Sequence, residues 1–401
     1  MNKRFIGVTR FSILTTDSGP FRLDPTNRAK YADQLFDDQR IEDRFEIFSK
    51  VTLPILKHFA EDHDFVHLLQ VSPELPIHWR IKLEECREKY PFLKIVEINR
   101  NDVAHSVREE VQSWTPEFEG LFAWFRLDDD DFLAWDYLDA LSYLTIKNNV
   151  GYAVSFGAVY TGLYIGREFL DIHTAYNPYN SQGQAYICYA NNKAGIYKSP
   201  PMVPHHEVNK HLPVILNDIQ PMAFWTRHIG QDTLVDDSGN QRVGGLIANL
   251  QASLSKGRSV HREEVDEKFP TLGAFIENTR RPPAALTLEM PIGQWVSLSG
   301  QEFSEFQEKT FIRVDYELRF RSFTHSGATL WLDFEDKIIS SGDFPRDDIR
   351  GDYRRLFVDE FGHGTITFPA KLNELKRMRI EVDPTFGPIE SAYLRFGSLR
   401  G

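Results

Sequence analysis

Four consecutive aspartates, residues 128–131, directly follow an almost wholly apolar segment at residues 122–127. A segment of this length and composition predicts a buried β-strand, so the acidic run begins where a strand ends. Adjacent carboxylates repel one another, which raises their pKa values unless a cation lies nearby. Open α/β sheets bind their ligands at the carboxyl ends of strands. The acidic run therefore predicts a ligand site at the edge of a sheet.

The chain before the acidic run alternates between strand and helix patterns. Strands are predicted from short apolar segments at residues 5–9, 65–71 and 93–98. Residues 37–59 and 76–89 carry apolar side chains at helical spacing, with a kink or restart predicted at Pro54. This alternation predicts an α/β domain whose mostly parallel sheet is covered by helices. Residues 177–204, rich in Asn, Tyr, Pro and Ser, are predicted to form loops.

The C-terminal part of the chain has a different period. In residues 311–320 apolar and charged side chains alternate, which predicts a half-buried antiparallel strand, and further short strands follow at regular intervals. The pattern predicts an all-β sandwich over residues 286–401, long enough to fold by itself. Residues 241–285, which end close to an Arg-Arg-Pro-Pro sequence, are predicted to be a helical and loop connector. The α/β domain then occupies residues 1–240.

Asp128 and Asp130 are the residues of the acidic run that strand alternation directs to one side. Two carboxylates at a strand end suit a hard divalent cation, because magnesium commonly combines one or two carboxylates with phosphate oxygens of a ligand. The alternative is a solvated turn that leads into a helix, since aspartate favours helix N-termini. The position at the end of a buried strand favours the metal site.

Three sequence elements together resemble a known family. They are Arg-Leu-Asp-Asp-Asp-Asp at residues 126–131, Thr-Arg-Phe-Ser at residues 9–12, and Arg44 with Phe48 ahead of a Leu-Pro pair at residues 53–54. Over residues 1–235 the chain resembles the putative rhamnosyltransferases among the bacterial GT-A-type glycosyltransferases. The resemblance implies a Rossmann-like GT-A domain that binds a nucleotide sugar.

The same resemblance implies roles for the acidic residues. An Asp-x-Asp motif in this family holds a divalent metal, manganese or magnesium, on the donor diphosphate, and the motif corresponds to Asp128 and Asp130. Asp129 and Asp131 are then expected on the donor side of the site. Asp131 either orients the donor sugar or caps the following helix.

A histidine near the end of the family's catalytic region is a further candidate metal ligand. The Trp-Thr-Arg-His segment that ends at His228 resembles this region, although Ile229 separates the histidine from the glycine that follows it in the family. Imidazole suits manganese better than magnesium. The alternative is a histidine that packs its ring and donates to a backbone carbonyl, and we favour this interpretation for His205 and His206.

Cationic residues beside these motifs are candidates for donor binding. Arg10, Arg44 and Arg126 carry guanidinium groups, which form paired hydrogen bonds with phosphate, and Thr9 lies next to Arg10. A surface ion pair is the alternative that we favour for Arg44. Arg10 ends the first predicted strand, where a nucleotide would lie.

The general base is the least defined part of the predicted site. An inverting transfer needs a group that deprotonates the acceptor hydroxyl, whereas a retaining transfer can proceed without one. The family's Pro-Phe element is followed by a glutamate, and residues 177–186 contain none. Asp171, Glu207 and Asp232 are the remaining candidates. The missing acid also leaves a reduced or altered activity open.

Composition narrows the class of partner. Lys and Arg number 46 against 58 Asp and Glu, a net charge of -12, which argues against nucleic acid bound through a broad basic face. The two cysteines, Cys86 and Cys188, offer no disulfide framework. No apolar run reaches the ~18–20 residues that cross a membrane. We therefore expect a cytoplasmic protein, with peripheral contact to the inner membrane and homo-oligomer formation left open.

The predicted function is metal-dependent sugar transfer, with rhamnose suggested by the family name alone. The donor is expected to be a dTDP-, UDP- or GDP-sugar, and the acceptor a saccharide or lipid-linked saccharide of a bacterial polysaccharide. One alternative is a metal-dependent phosphotransferase or phosphohydrolase, although residues 1–150 contain no Gly-rich phosphate loop. Another is a non-catalytic carbohydrate-binding protein. It would use aromatic residues of the C-terminal part, namely Trp295, Trp331, Tyr316 and Tyr353.

Overall fold

The computed structural model shows a chain that folds into two compact units. The first consists of Met1–Tyr160, Ala175–Thr226 and Arg262–Phe275, and the second of Thr161–Thr174, Arg227–His261 and Ile276–Gly401. The residues that the structure describes are 2–14, 28–98, 103–165, 167–228, 246, 253, 256–258, 260, 262–278, 286–297, 311–320, 327–334, 346–347, 351–357, 363–369, 375–382 and 389–398.

Strands and helices alternate from the N-terminus onwards. The strands up to residue 227 are β1 (Asn2–Phe11), β2 (Phe65–Val71), β3 (Leu93–Glu97), β4 (Glu119–Asp128), β5 (Phe132–Leu133), β6 (Ala153–Ser155), β7 (Ala158–Ile165), β8 (Glu168–Tyr176), β9 (Ala185–Asn191), β10 (Ile196–Lys198), β11 (Val214–Leu216) and β12 (Ala223–Arg227). The helices are α1 (Arg28–Leu35), α2 (Asp38–Ile47), α3 (Leu53–Asp62), α4 (Ile77–Lys89), α5 (Val103–Ser113), α6 (Tyr137–Leu144), α7 (Val208–His211), α8 (Arg262–Lys268) and α9 (Pro270–Asn278). No helix within the described residues is long and apolar enough to cross a membrane.

The central sheet of the first unit is rich in parallel strands. Its order is β11-β6-β9-β4-β1-β2-β3, with β10 paired to β9 at the side. Strand β1 runs parallel to both β2 and β4, and β2 runs parallel to β3. Strand β9 runs antiparallel to β4 and β6. This architecture confirms the predicted α/β class.

Residues 177–204 do not form loops throughout, so that prediction is wrong. They contain β9, whose apolar core from Ala185 to Cys188 is fully buried between β4 and β6. The rings of Tyr186 and Trp124 stack across the β4–β9 pair, with centroids 4.4 Å apart. Asn, Pro and Gly residues on both sides of the strand dominate the composition of this segment and hide the short strand inside it.

The predicted interruption at Pro54 takes the form of a π-helical turn. Residues Phe48–Thr52 form this turn between α2 and α3, and the N–H of Leu53 donates to the carbonyl of Phe48. Proline lacks an N–H and clashes with the preceding helical turn, which the wider π turn accommodates. The continuous helical segment thereby brings Thr52 to the acidic run, where its Oγ1 donates to the Asp131 carbonyl at 3.1 Å.

A close approach between β1 and β2 requires a residue without a side chain at Gly7. A Cβ atom at Gly7 would overlap with Nδ1 of His67, which is fully buried. Nε2 of His67 shares a hydrogen bond with Thr9 Oγ1 at 3.0 Å. Burial lowers the pKa of His67 to about 3, so its ring is neutral near pH 7.

The second unit contains a β-sandwich. Its strands are β13 (Leu286–Met290), β14 (Val296–Ser297), β15 (Phe311–Phe320), β16 (Gly327–Phe334), β17 (Arg346–Asp347), β18 (Gly351–Phe357), β19 (His363–Pro369), β20 (Leu375–Val382) and β21 (Ile389–Ser398). They form two antiparallel sheets, with orders β13-β21-β15-β19 and β14-β20-β16-β18-β17. Buried side chains of both sheets share one apolar core. The strands that the alternating pattern predicts in this region are therefore confirmed.

Residues 161–174 belong to the second unit, although the sequence places them in the first domain. Arg313 forms an ion pair with Glu168, and Arg354 Nη2 lies 3.1 Å from Asp171 Oδ2. All four side chains are buried. These pairs join positions far apart in the chain and leave no local sequence pattern. Independent folding of the C-terminal sandwich stays a prediction.

The aromatic residues considered for sugar stacking are mostly covered by other side chains. Tyr316 and Trp331 are buried, and the Trp331 ring lies 5.3 Å from that of Tyr353. Arg377 lies over the Trp295 ring, 4.6 Å from its centroid. Tyr316 and Trp331 therefore pack the second unit, which corrects their interpretation as sugar-stacking residues.

Candidate active site

The acidic run lies at the carboxyl edge of the central sheet. β4 ends at Asp128, and the strand register places Asp128 opposite Arg10 near the end of β1. The chain then turns, with the N–H of Asp131 donating to the Asp128 carbonyl at 3.3 Å. Two parallel strands thus bring a guanidinium and a carboxylate to the same edge.

The turn, and not strand alternation, sets the environments of the four aspartates. Asp129, Asp130 and Asp131 are buried, whereas the side chain of Asp128 is 33% exposed. Oδ1 of Asp128 lies 3.5 Å from Arg10 Nη2, and its Oδ2 accepts a hydrogen bond from another side chain at 3.1 Å. Among the four, Asp128 is the aspartate that a ligand can reach.

Arg44 is a buried counter-ion for two of the aspartates. Its guanidinium forms ion pairs with Asp129 and with Asp130, the latter at 3.1 Å between Nη2 and Oδ2. The Arg44 side chain is only 6% exposed. The ion pair that we favoured from the sequence is present, but it lies inside the unit and not at the surface.

Asp131 joins three parts of the first unit. Its Oδ2 accepts from Gln182 Nε2 at 2.6 Å, and its Oδ1 accepts from the backbone N–H of Thr226 at 2.8 Å. Burial, together with the negative charges of Asp130 and Asp128, raises the pKa of Asp131 well above its usual value. Asp131 does not cap the following helix, because α6 begins after Asp136.

Arg126 and His205 lie near the exposed aspartate. Burial lowers the pKa of His205 to about 4, the positive charge of Arg126 lowers it further, and the charge of Asp128 opposes both. Burial also lowers the pKa of Arg126, as does the charge of Arg10. At pH 7 the imidazole is therefore neutral, while the guanidinium keeps its charge.

Residues 181–184, just before β9, supply contacts that the sequence did not reveal. Ser181 Oγ donates to Asp128 Oδ2, and Gln184 Nε2 donates to the His205 carbonyl at 3.2 Å. The N–H of Arg126 donates to the Gln184 carbonyl at 3.2 Å, so this segment runs beside the end of β4. The only sequence feature that marks these contacts is the short polar sequence Ser-Gln-Gly-Gln at residues 181–184. Such a sequence is also typical of an ordinary loop, so it does not identify the site.

Two other candidates of the first unit have different surroundings. The Thr9 side chain forms a hydrogen bond with the buried His67 ring and is itself fully buried. Glu207 accepts from Lys210 Nζ at 2.8 Å, and this hydrogen bond lowers the pKa of Glu207. His206 packs its ring against His205, with centroids 5.3 Å apart.

Two candidates of the second unit, His228 and Asp171, are buried. His228 is 1% exposed. Asp171 accepts from Arg354 and from Thr367 Oγ1, each at 3.1 Å, while burial raises its pKa. Asp232 lies outside the described residues. The roles of His228 and Asp232 stay predictions, whereas the contacts of Asp171 are those of a structural carboxylate.

One carboxylate at the sheet edge, that of Asp128, is accessible to a divalent cation. The described part of the chain contains no group of three or more His, Cys, Asp or Glu side chains arranged to hold a metal ion. Asp128 is partly exposed, whereas Asp130 is held by Arg44. Magnesium commonly combines one or two carboxylates with water and substrate phosphates. Asp128 fits that mode of binding.

An α/β sheet edge with two arginines and an accessible aspartate has the chemistry expected of a nucleotide-sugar site. Sequence comparison supports this class, because the family described as putative rhamnosyl transferase matches residues 4–236. The match covers more than half of the chain, which therefore belongs to this family, as the sequence resemblance indicated. The chain is a nucleotide-sugar-dependent glycosyltransferase.

The matching solved structures include two crystal structures of S. aureus TarS residues 1–349. The one in complex with UDP-GlcNAc is 10% identical, with a TM-score of 0.30 and coverage of 69% of this chain and 72% of that chain. The other is 9% identical, with a TM-score of 0.28 and coverage of 69% and 71%. Comparison with the curated proteins gives no match.

Proposed function

We propose that the first unit is a GT-A-type catalytic domain that binds its nucleotide-sugar donor at the carboxyl ends of β1 and β4. The enzyme transfers a sugar, in the first instance rhamnose, to a hydroxyl of a saccharide or lipid-linked saccharide acceptor. The observation that supports this function is the grouping of Arg10, Arg126 and Asp128 at two neighbouring strand ends.

Arg10 and Arg126 bind the donor diphosphate in this proposal. Burial lowers the pKa of Arg126, and repulsion by the charge of Arg10 lowers it further. A dianionic group that lies between or beside the two arginines relieves this repulsion. Arg126 is partly buried, so solvent screens its interaction with phosphate less than it would at an exposed site. The two arginines thereby stabilise the negative charge that develops on the departing nucleoside diphosphate.

Asp128 would hold a divalent cation, manganese or magnesium, against the same phosphates. The cation supplies Lewis-acid stabilisation of the leaving group when it is bound. Ser181 orients the carboxylate by donating to Oδ2. Asp130 becomes a second ligand only if it leaves Arg44, so Asp128 is the principal protein ligand in this proposal.

The rest of the acidic run positions Asp128. Arg44 holds the two middle aspartates, and Thr52 together with Gln182 holds Asp131. A ligand that is fixed before substrate binds loses less conformational entropy on binding. The buried aspartates therefore support binding and catalysis through the loop geometry.

His205 is the proton acceptor that we propose in the first unit, because its ring is neutral near pH 7 and the charge of Asp128 acts on it. Burial is the main cause that lowers the pKa of His205 to about 4, and the negative charge of Asp128 partly opposes this effect. A basic group with a pKa of about 4 resembles an ordinary carboxylate in strength, so it can serve in place of the missing glutamate. We propose His205 as the general base of an inverting transfer.

Donor turnover tests the proposed function. Nucleoside diphosphate release is measured with dTDP-rhamnose and with UDP- and GDP-sugars in the presence of manganese, using water as the minimal acceptor. We expect one donor to be turned over, with a loss of about 100-fold or more in Arg126→Met because a partly buried phosphate partner is removed. Asp139→Asn, which alters an exposed carboxylate elsewhere, is the matched control. Turnover of no donor, or equal rates for Arg126→Met and the parent, would contradict the proposal.

A further inference from the structure

A second cavity lies at the opposite, amino-terminal edge of the central sheet. Its volume is about 400 Å³, and its walls come from the beginnings of β1, β2 and β3 and from the end of α5. Arg4, near the start of β1, lines this cavity, whereas Arg10 belongs to the site at the other edge. Six residues of strand separate the two arginines by about 20 Å. The cavity is therefore distinct from the donor site.

Two ion pairs line the cavity. Arg4 Nε lies 2.6 Å from Asp64 Oδ2, and Lys94 Nζ lies 2.7 Å from Glu110 Oε2. The Arg4 guanidinium also lies over the ring of Trp114, 4.9 Å from its centroid. Nε1 of that indole donates to Glu110 Oε1 at 3.1 Å. Glu110 and Trp114 are buried and held by these contacts, whereas Asp64 and Lys94 remain about half exposed to solvent.

The first pair retains unused hydrogen-bonding capacity. Arg4 Nε donates to Asp64 Oδ2, and the two terminal nitrogens of Arg4 have no hydrogen-bond partner among the described residues. The Oδ1 atom of Asp64 likewise accepts no hydrogen bond from that part of the chain. The cavity therefore offers donors and an acceptor side by side. Phe5, Phe65 and Phe92 lie at its base, and their side chains are buried.

The charges of the lining select the ligand class. Two cations and two anions cancel, so an anionic ligand would face Asp64 and Glu110, while a cationic one would face Arg4 and Lys94. A neutral ligand rich in hydroxyl groups can both donate to Asp64 and accept from Arg4. The volume lies within the range of small-molecule sites.

We propose that this cavity is a secondary saccharide-binding site for a neutral sugar residue. It does not depend on the function proposed for the carboxyl edge, because saccharide binding is measured here without turnover. In a glycosyltransferase such a site would retain a glycan chain away from the reacting end and raise its effective concentration.

Ligand-observed NMR on the full chain tests this proposal. The probes are methyl α-L-rhamnopyranoside and methyl α-D-glucopyranoside, with inorganic sulfate as the anionic competitor. The test variant is Asp64→Ala, and the matched control is Asp62→Ala. Their side chains are 57% and 59% exposed, so neither change should disturb the fold. A third variant, Asp128→Asn, reports on binding at the other edge.

We expect at least one glycoside to bind with a dissociation constant of about 1–10 mM, and Asp64→Ala to weaken it about fivefold or more. Asp62→Ala and Asp128→Asn should bind as the parent does, and sulfate should not compete. Absence of binding by both glycosides, equal binding by Asp64→Ala, or displacement by sulfate would overturn the proposal. Binding lost only in Asp128→Asn would place the sugar at the carboxyl edge and also overturn it.

Discussion

Nη2 of Arg44 lies 3.1 Å from Oδ2 of Asp130 inside the first unit, so the acidic run carries its own counter-ion. The same guanidinium pairs with Asp129, and neutral donors satisfy Asp131. Only Asp128 of the four keeps a side chain that is one-third exposed. The run thus divides into three aspartates that build the loop and one that is available to a ligand.

Removal of the buried counter-ion should destabilise the protein. Arg44→Met leaves two buried carboxylates without this partner, and we expect a loss of about 3–5 kcal/mol in the free energy of unfolding. Lys57→Met is the matched control, because Lys57 pairs with Glu61 at the surface and should contribute less than about 1 kcal/mol. Urea denaturation monitored by circular dichroism measures both. Equal small losses would show that the Arg44 pairs do not stabilise the loop.

Asp171 distinguishes a structural carboxylate from the general base suggested by the sequence. Asp171→Asn weakens the buried pair with Arg354, so we expect a loss of stability of about 3 kcal/mol. The turnover number of the folded protein should stay within about twofold of the parent. Thermal denaturation and single-turnover rates measure the two quantities. A loss of about 100-fold in rate at unchanged stability would instead assign the base to Asp171.

His67 should make stability depend on pH. The folded-state pKa of about 3 lies below the ordinary value of 6.5. Below pH 6.5 the unfolded chain binds a proton that the folded chain does not, so the free energy of unfolding falls as pH falls through this window. The slope from this group is up to about 1.4 kcal/mol per pH unit. His67→Gln should reduce the slope between about pH 6 and pH 4 in chemical denaturation. An unchanged slope would contradict the neutral buried ring.

His205 should affect the chemical step more than donor binding. His205→Gln removes the proton acceptor, and we expect kcat to fall about 100-fold while the donor KM changes little. Because the folded pKa is about 4, the neutral form predominates above that pH, and the parent rate should not fall through His205 titration between about pH 7 and pH 5. Initial rates across this range check both statements. An unchanged kcat in His205→Gln would exclude it as the base.

The sequence predicts most elements of the first unit because their patterns are local. The apolar runs that become β1, β2, β3 and β4 are each long enough to identify, and the acidic run at residues 128–131 marks the end of β4. The alternating pattern of residues 311–320 likewise identifies β15. Each signal lies within about ten residues of sequence, which is the range over which periodicity is informative.

The contacts that define the site are not local and therefore escape prediction. Arg44 forms an ion pair with Asp129, which lies 85 residues further along the chain. Ser181 donates a hydrogen bond to Asp128, from which it is separated by 53 residues in sequence. Asp128 and Asp130 were expected on one side by strand alternation, but the turn after β4 places them in different environments. The surroundings of His205 likewise escape prediction, because burial and neighbouring charges are properties of the fold.

Calorimetric titration with manganese and the nucleoside diphosphate of the donor tests the central claim, that Asp128 at the end of β4 is the accessible carboxylate of the donor site. The comparison is between the parent, Asp128→Asn, and the exposed control Asp139→Asn. We predict that Asp128→Asn weakens manganese-dependent nucleotide binding at least about tenfold while Asp139→Asn matches the parent. Equal nucleotide and metal affinities for the parent and Asp128→Asn would contradict the assignment of the donor site.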